Sequence, residues 1–234
     1  IAHAVNGRRI VLVQMSFYGT DNSYMLEAMK RHPSTFSGIA VVDYDSPSLG
    51  EEMSRLQSLG VRGFRVTQGD RPVGWLETPN MRRMWRIAAE KKLAICPLVD
   101  PNALPSLDRM CAEFPDTTVV IDHMARIGMP DAVQDKDVAA LCNLSRHPRV
   151  HNKVSAFYAL GKKPAPYNTL APLVHALYDA YGPQRLMWGS DSPYQVQPPY
   201  TYAESFNFVH SRLPFLRQED KNWIMRKSAQ TLFF

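Results

Sequence analysis

The sequence predicts an α/β fold on a parallel sheet, one strand short of a closed (β/α)8 barrel. Three observations carry that reading. Short apolar runs alternate with amphipathic stretches from Ile10 to the end of the chain. Most of the runs are continuously apolar rather than alternating, as strands covered on both faces are. No glycine-rich phosphate loop follows the first run, where Gln14 to Gly19 reads Gln-Met-Ser-Phe-Tyr-Gly, and this sets aside an open doubly wound sheet.

Each element has its own warrant. The strands expected are Ile10–Gln14, Gly38–Val42, Val61–Val66, Leu93–Leu98, Thr118–Asp122, Arg149–Ser155 and Arg185–Gly189. Between them lie helices whose apolar residues recur at three- and four-residue steps. Met25, Leu26, Ala28 and Met29 mark the first, Leu49, Met53, Leu56 and Leu59 the second, with Gly60 as its stop. Met81, Met84, Trp85 and Ala88 mark the third, a helix near Pro105–Glu113 follows, and Val138, Leu141, Cys142 and Leu144 line the next. Leu170 to Tyr181 is the clearest amphipathic helix, and helices over Tyr202–Arg212 and Gln218–Leu232 close the chain. His32-Pro33, Phe114-Pro115 and His147-Pro148 each end a helix, because proline disfavours helical geometry in the residue before it. Gly19-Thr-Asp-Asn22 reads as a turn with a helix N-cap.

Composition narrows the function classes. With 234 residues, 45% hydrophobic and 21% charged, the chain supports one globular domain over residues 1–234. No apolar run spans a membrane, and the beginning shows no signal-peptide pattern. The net charge of +5 comes from scattered basic residues, so no nucleic-acid stripe is expected. Cys96, Cys111 and Cys142 are odd in number and far apart, which fits buried free thiols and a cytoplasmic location.

The carboxyl ends of the strands are polar. Gln14, Ser16 and Tyr18 follow the first, Arg65 and Arg71 the third, Asp122, His123 and Arg126 the fifth, and Asn152, Lys153, Ser155 and Tyr158 the sixth. The last strand runs into Asp191 and then Pro193, where the chain must leave the sheet. In a parallel barrel these tips converge on one rim, the catalytic face. One carboxylate, one imidazole and several arginines suit hydrolysis of a small anionic substrate, with Asp191 taking a proton from water and His123 or an arginine steadying the oxyanion. Simpler roles fit the same residues: Asp191 as a turn cap, His123 as a core histidine, Arg65 and Arg71 as surface ion pairs. His3, His32, His147, His151, His175 and His210 receive no role.

Val-Leu-Val-Gln14, Gly19-Thr-Asp-Asn22, Gly60-Val-Arg-Gly-Phe-Arg65, Ile121-Asp-His-Met124, Asn152-Lys-Val-Ser155, Leu186-Met-Trp-Gly-Ser-Asp-Ser-Pro193 and Ser228-Ala-Gln-Thr-Leu-Phe233 together resemble the amidohydrolase-2 family of the amidohydrolase superfamily. The resemblance is to the TIM-barrel metal-dependent hydrolases that include 2-pyrone-4,6-dicarboxylate lactonase and sugar lactonases. It implies a distorted (β/α)8 barrel whose first strand is missing from this chain. It implies Asp191 as general base or metal ligand and His123 as its partner. It also implies substrate contacts from Arg65, Arg71, Arg126 and Ser16, and Tyr158 is taken with them. The sequence departs from the family in having no His-x-His pair, no histidine in Ile95–Asp100, and aromatic residues Phe157 and Tyr158 where the dicarboxylate branch carries an arginine. Only His123 and Asp191 are then available to a zinc or manganese ion, unless an upstream strand supplies His-x-His, and no cofactor is expected to be required. The expected activity is hydrolysis of a carboxylated lactone or cyclic ester. A metal-dependent decarboxylase and an inactive fragment are the alternatives, the latter because unpaired sheet edges associate, which also makes a homo-oligomer an expectation.

Overall fold

The computed structural model describes residues 9–129 and 132–234. His3 lies outside the described residues. Among the described residues seven strands form one sheet: β1 Ile10–Val13, β2 Phe36–Ala40, β3 Val61–Thr67, β4 Ala94–Leu98, β5 Thr118–Ile121, β6 Val150–Val154 and β7 Leu186–Trp188. They lie in strict sequence order and every neighbouring pair is parallel. A doubly wound sheet would reverse its order at some point, and this one does not.

The helices between them are α1 Ser23–Arg31, α2 Leu49–Ser58, α3 Pro79–Glu90, α4 Leu104–Glu113, α5 Asp135–Asn143 and α6 Ala171–Tyr181. The chain ends with α7 Tyr202–Ser211, α8 Gln218–Asn222 and α9 Ser228–Phe233. Trp223–Lys227 joins the last two as a π-helical turn, where the periodicity predicts one continuous helix. α3 shows how local sequence makes these elements. Thr78 caps it by accepting from the Met81 amide, Pro79 occupies the first turn, and Met81, Met84, Trp85 and Ala88 form its buried stripe.

Both faces of the sheet are covered. Outward residues such as Phe64, Ile95, Val119, Val154 and Leu186 pack under the helices in the main core. Inward residues Ile39, Ala94, Cys96, Val120 and Met187 meet in a second cluster, which Val11 and Val13 of β1 and Phe233 of α9 also join. Side chains from the first, middle and last strands can share one cluster only if the sheet curls. The inside of that curl is the barrel interior.

Three local expectations are corrected. Leu59, expected on the inward face of the second helix, falls just past the end of α2 and is exposed. Asn22 does not cap α1 with its side chain; its amide grips the Val41 amide and carbonyl instead, and Asp21 accepts from the Ser23 amide at 3.0 Å. Burying the link to β2 outweighs a cap that a neighbouring residue can supply. Cys142 is only partly buried, whereas Cys96 and Cys111 are buried. Burial pushes both of those thiols up to about 12, which leaves neither a nucleophile at neutral pH.

Candidate active site

β5, β6 and β7 each leave the sheet through a residue other than glycine in the left-handed region: His123 at φ 51°, Ala156 at φ 60° and Asp191 at φ 51°. After β5 the conformation persists through Met124, Ala125 and Arg126, a left-handed turn with no glycine in it. Each such residue costs about 1–2 kcal/mol, and strain of this kind collects where a side chain must be aimed. These three turns deliver His123, Ser155, Tyr158 and Asp191 to one place.

His123 is the centre of the group. Its Nδ1 lies 2.8 Å from the Ser155 hydroxyl, and its Nε2 lies 3.6 Å from Asp191 Oδ1. The second distance is too long for a hydrogen bond, yet an oxygen atom placed between could reach both at about 2.8 Å. The other Asp191 oxygen accepts from the Tyr158 hydroxyl at 2.8 Å. His123 and Asp191 are 13% and 19% exposed, so the pair is sheltered but reachable. Burial holds the His123 imidazole below its ordinary pKa, against the opposing pull of Asp191. Burial and the Asp191 carboxylate push the Tyr158 phenol up, so it stays a donor.

A second cluster stands directly behind the first. Asp122, wholly buried, receives Lys153 on Oδ1 at 2.6 Å, and Arg65 Nε and Nη2 on Oδ2 at 3.0 and 2.8 Å. The remaining Arg65 nitrogen, Nη1, reaches the Gln14 carbonyl at 3.4 Å. β6 therefore grips the turn twice: Lys153 takes Asp122 and Ser155, two residues on along the same inward face, takes His123. The two cations hold the Asp122 carboxyl near 2, overcoming the cost of its burial.

The other predicted site residues are more dispersed. Arg126 is tied to Asp100 at 2.8 Å, and its Nε is buried without a partner. Arg71 is exposed, lies over the Tyr44 and Trp75 rings, and donates to the Thr67 carbonyl. Ser16 is exposed at the tip of β1, with no side-chain hydrogen bond among the described residues. The structure thus brings together His123, Asp191 and Tyr158, and gives Arg65 an internal partner in place of open solvent. Sequence reasoning assigned no role to Asp122, Lys153 or Ser155. The available signal was a lysine in an otherwise buried strand, which needs an anion to face.

The described part of the interior offers no ligand set that fits a divalent cation. Among the described residues, no group of three or more His, Cys, Asp or Glu side chains converges, and Asp122 is already neutralised by two cations.

The Amidohydrolase family model matches residues 2–234. The chain belongs to that family. Its similarity extends to an L-fucono-1,5-lactonase from Burkholderia ambifaria, 28% identical over 80% of this chain and 65% of that protein. A 4-sulfomuconolactone hydrolase from Hydrogenophaga intermedia is also 28% identical, over 82% of this chain and 62% of its own length. The chain therefore spans less than two thirds of these relatives. A probable 2-pyrone-4,6-dicarboxylic acid hydrolase from Acinetobacter baumannii, solved with citric acid bound, superposes with a TM-score of 0.87 at 27% identity, over 99% of this chain and 85% of that one. An amidohydrolase from Burkholderia multivorans with bound zinc shares the fold at a TM-score of 0.85 and 21% identity, over 99% and 85% of the two chains. The family and the parallel, curled α/β sheet are those the sequence predicts.

Proposed function

We propose that this protein hydrolyses a small lactone that carries a carboxylate, by attack of water on the ring carbonyl. One observation carries the reading: Asp191 and His123 face each other 3.6 Å apart, each held from behind by a hydroxyl. Asp191 takes a proton from water as the water oxygen bonds to the carbonyl carbon. The carbonyl electron pair moves onto its oxygen, which His123 Nε2–H stabilises. When the oxyanion collapses, the ring carbon–oxygen bond breaks and the departing oxygen recovers the proton from Asp191. The product is a hydroxy acid.

In this reading Arg126, whose side chain is 23% exposed, binds the substrate carboxylate through a guanidinium nitrogen other than the buried Nε. Arg71 and Ser16 touch the outer edge of the substrate. Arg65 and Tyr158 change roles: their polar atoms are committed to Asp122 and Asp191, so they organise the site rather than bind. Relatives described as lactone hydrolases, and citric acid in a solved relative, support a carboxylated lactone.

The test is a panel of lactones with and without a carboxylate, assayed with wild type and Asp191→Asn. Loss of the base is expected to lower kcat by at least a hundredfold. Equal rates would remove Asp191 from the chemistry. Metal analysis of the active protein separates the decarboxylase alternative, which calls for a stoichiometric divalent ion.

A further inference from the structure

We infer that Ser155 is a positioning residue that sets the tautomer of His123, keeping the ring proton on Nε2, where it faces Asp191 and the reacting oxygen. The inference gives a direction to the hydrogen bond on which the proposed lactonase chemistry rests.

The argument runs through donors and acceptors. A carboxylate oxygen only accepts, and Asp191 Oδ1 is the group facing Nε2, at 3.6 Å. A proton on Nε2 makes that approach attractive; a lone pair there would set two negative ends against each other. With Nε2 protonated, a neutral ring offers a lone pair at Nδ1, and a hydroxyl must donate to it. Ser155 Oγ stands there at 2.8 Å, and among the described residues that hydroxyl has no other hydrogen-bond partner. Ser155 is 1% exposed, so water does not compete for the proton.

The backbone keeps the hydroxyl where it is. Ser155 follows β6 on the inward face, and the neighbouring position on β7 is Gly189, where any Cβ would lie 3.4 Å from the Ser155 Cβ. A glycine there leaves the serine space to point at the imidazole. Lys153, two residues back, holds Asp122 at 2.6 Å, so the residue before His123 is anchored by the same strand.

The test reads the nitrogens directly. Nitrogen-15 spectra of the histidine rings at neutral pH, with His123→Gln identifying the signal, should show wild-type His123 as one neutral form protonated at Nε2. Ser155→Ala removes the donor to Nδ1 and leaves only Asp191, at 3.6 Å and beyond hydrogen-bond reach, to favour Nε2, so the ring should become a mixture of tautomers and kcat should fall about tenfold, with KM within about twofold, as loss of one aimed hydrogen bond does. Ser155→Thr, which keeps the hydroxyl, should restore both. A wild-type ring protonated at Nδ1 overturns the inference, and so does Ser155→Ala with an unchanged tautomer. A changed tautomer with unchanged kcat overturns the role in catalysis. The spectra need no substrate, so inactivity toward every lactone would defeat the hydrolase reading without touching this one.

Discussion

Replacing Asp122 with asparagine is the sharpest perturbation the structure offers. The buried cluster holds two cations, Arg65 and Lys153, against one carboxylate. Asp122→Asn keeps the shape and leaves two positive groups, each 8% exposed, without a counter-ion. Removing one partner of a buried pair costs about 3–5 kcal/mol. For a chain of this length each kcal/mol lowers Tm by about 2–4 °C, so a drop of roughly 6–20 °C is expected. Lys153→Met acts in the opposite sense, since it leaves a neutral Arg65–Asp122 pair, and should cost at least about 2 kcal/mol less. The pH dependence has a fixed sign. The Asp122 carboxyl is held near 2 against an ordinary 3.8, so its contribution is complete above pH 3.8 and is lost as pH falls toward 2. That loss amounts to roughly 2–3 kcal/mol in wild type and is absent from Asp122→Asn. Urea unfolding from pH 2 to pH 7, followed by circular dichroism, measures all three quantities. If Asp122→Asn unfolds no more easily than Lys153→Met, the claim of an excess buried cation is wrong.

Two further outcomes follow from single contacts. Tyr158→Phe deletes the 2.8 Å hydrogen bond to Asp191 and should lower kcat about tenfold with little change in KM; a raised KM at constant kcat would return Tyr158 to substrate binding. Gly63→Ala places a Cβ 2.7 Å from the Ala94 carbonyl in the middle of the sheet, and should destabilise the fold by about 1–3 kcal/mol in denaturant unfolding.

Strand and helix order could be read from the sequence because both signals are local. Apolar runs such as Thr118–Asp122 lie within a residue of the observed strand, and the α3 stripe is the predicted one. The polar tips could be read too, since Asp191 and His123 each follow a strand directly, and parallel strands carry their carboxyl ends to one rim. Other features depended on how the sheet curls. The partners of Asp122 lie 57 and 31 residues away in sequence, on β3 and β6, and nothing local marks them as neighbours. The same holds for Ser155 and His123, 32 residues apart. Arg65 looked free to bind substrate because a sequence shows a charge but not its counter-ion. The chain's pattern of apolar and polar residues determined which side chains reach the mouth of the barrel. Only tertiary packing decided which of them are spent on one another, because ion pairs and hydrogen bonds are settled by distances of a few ångströms across strands, and sequence separation carries no such information.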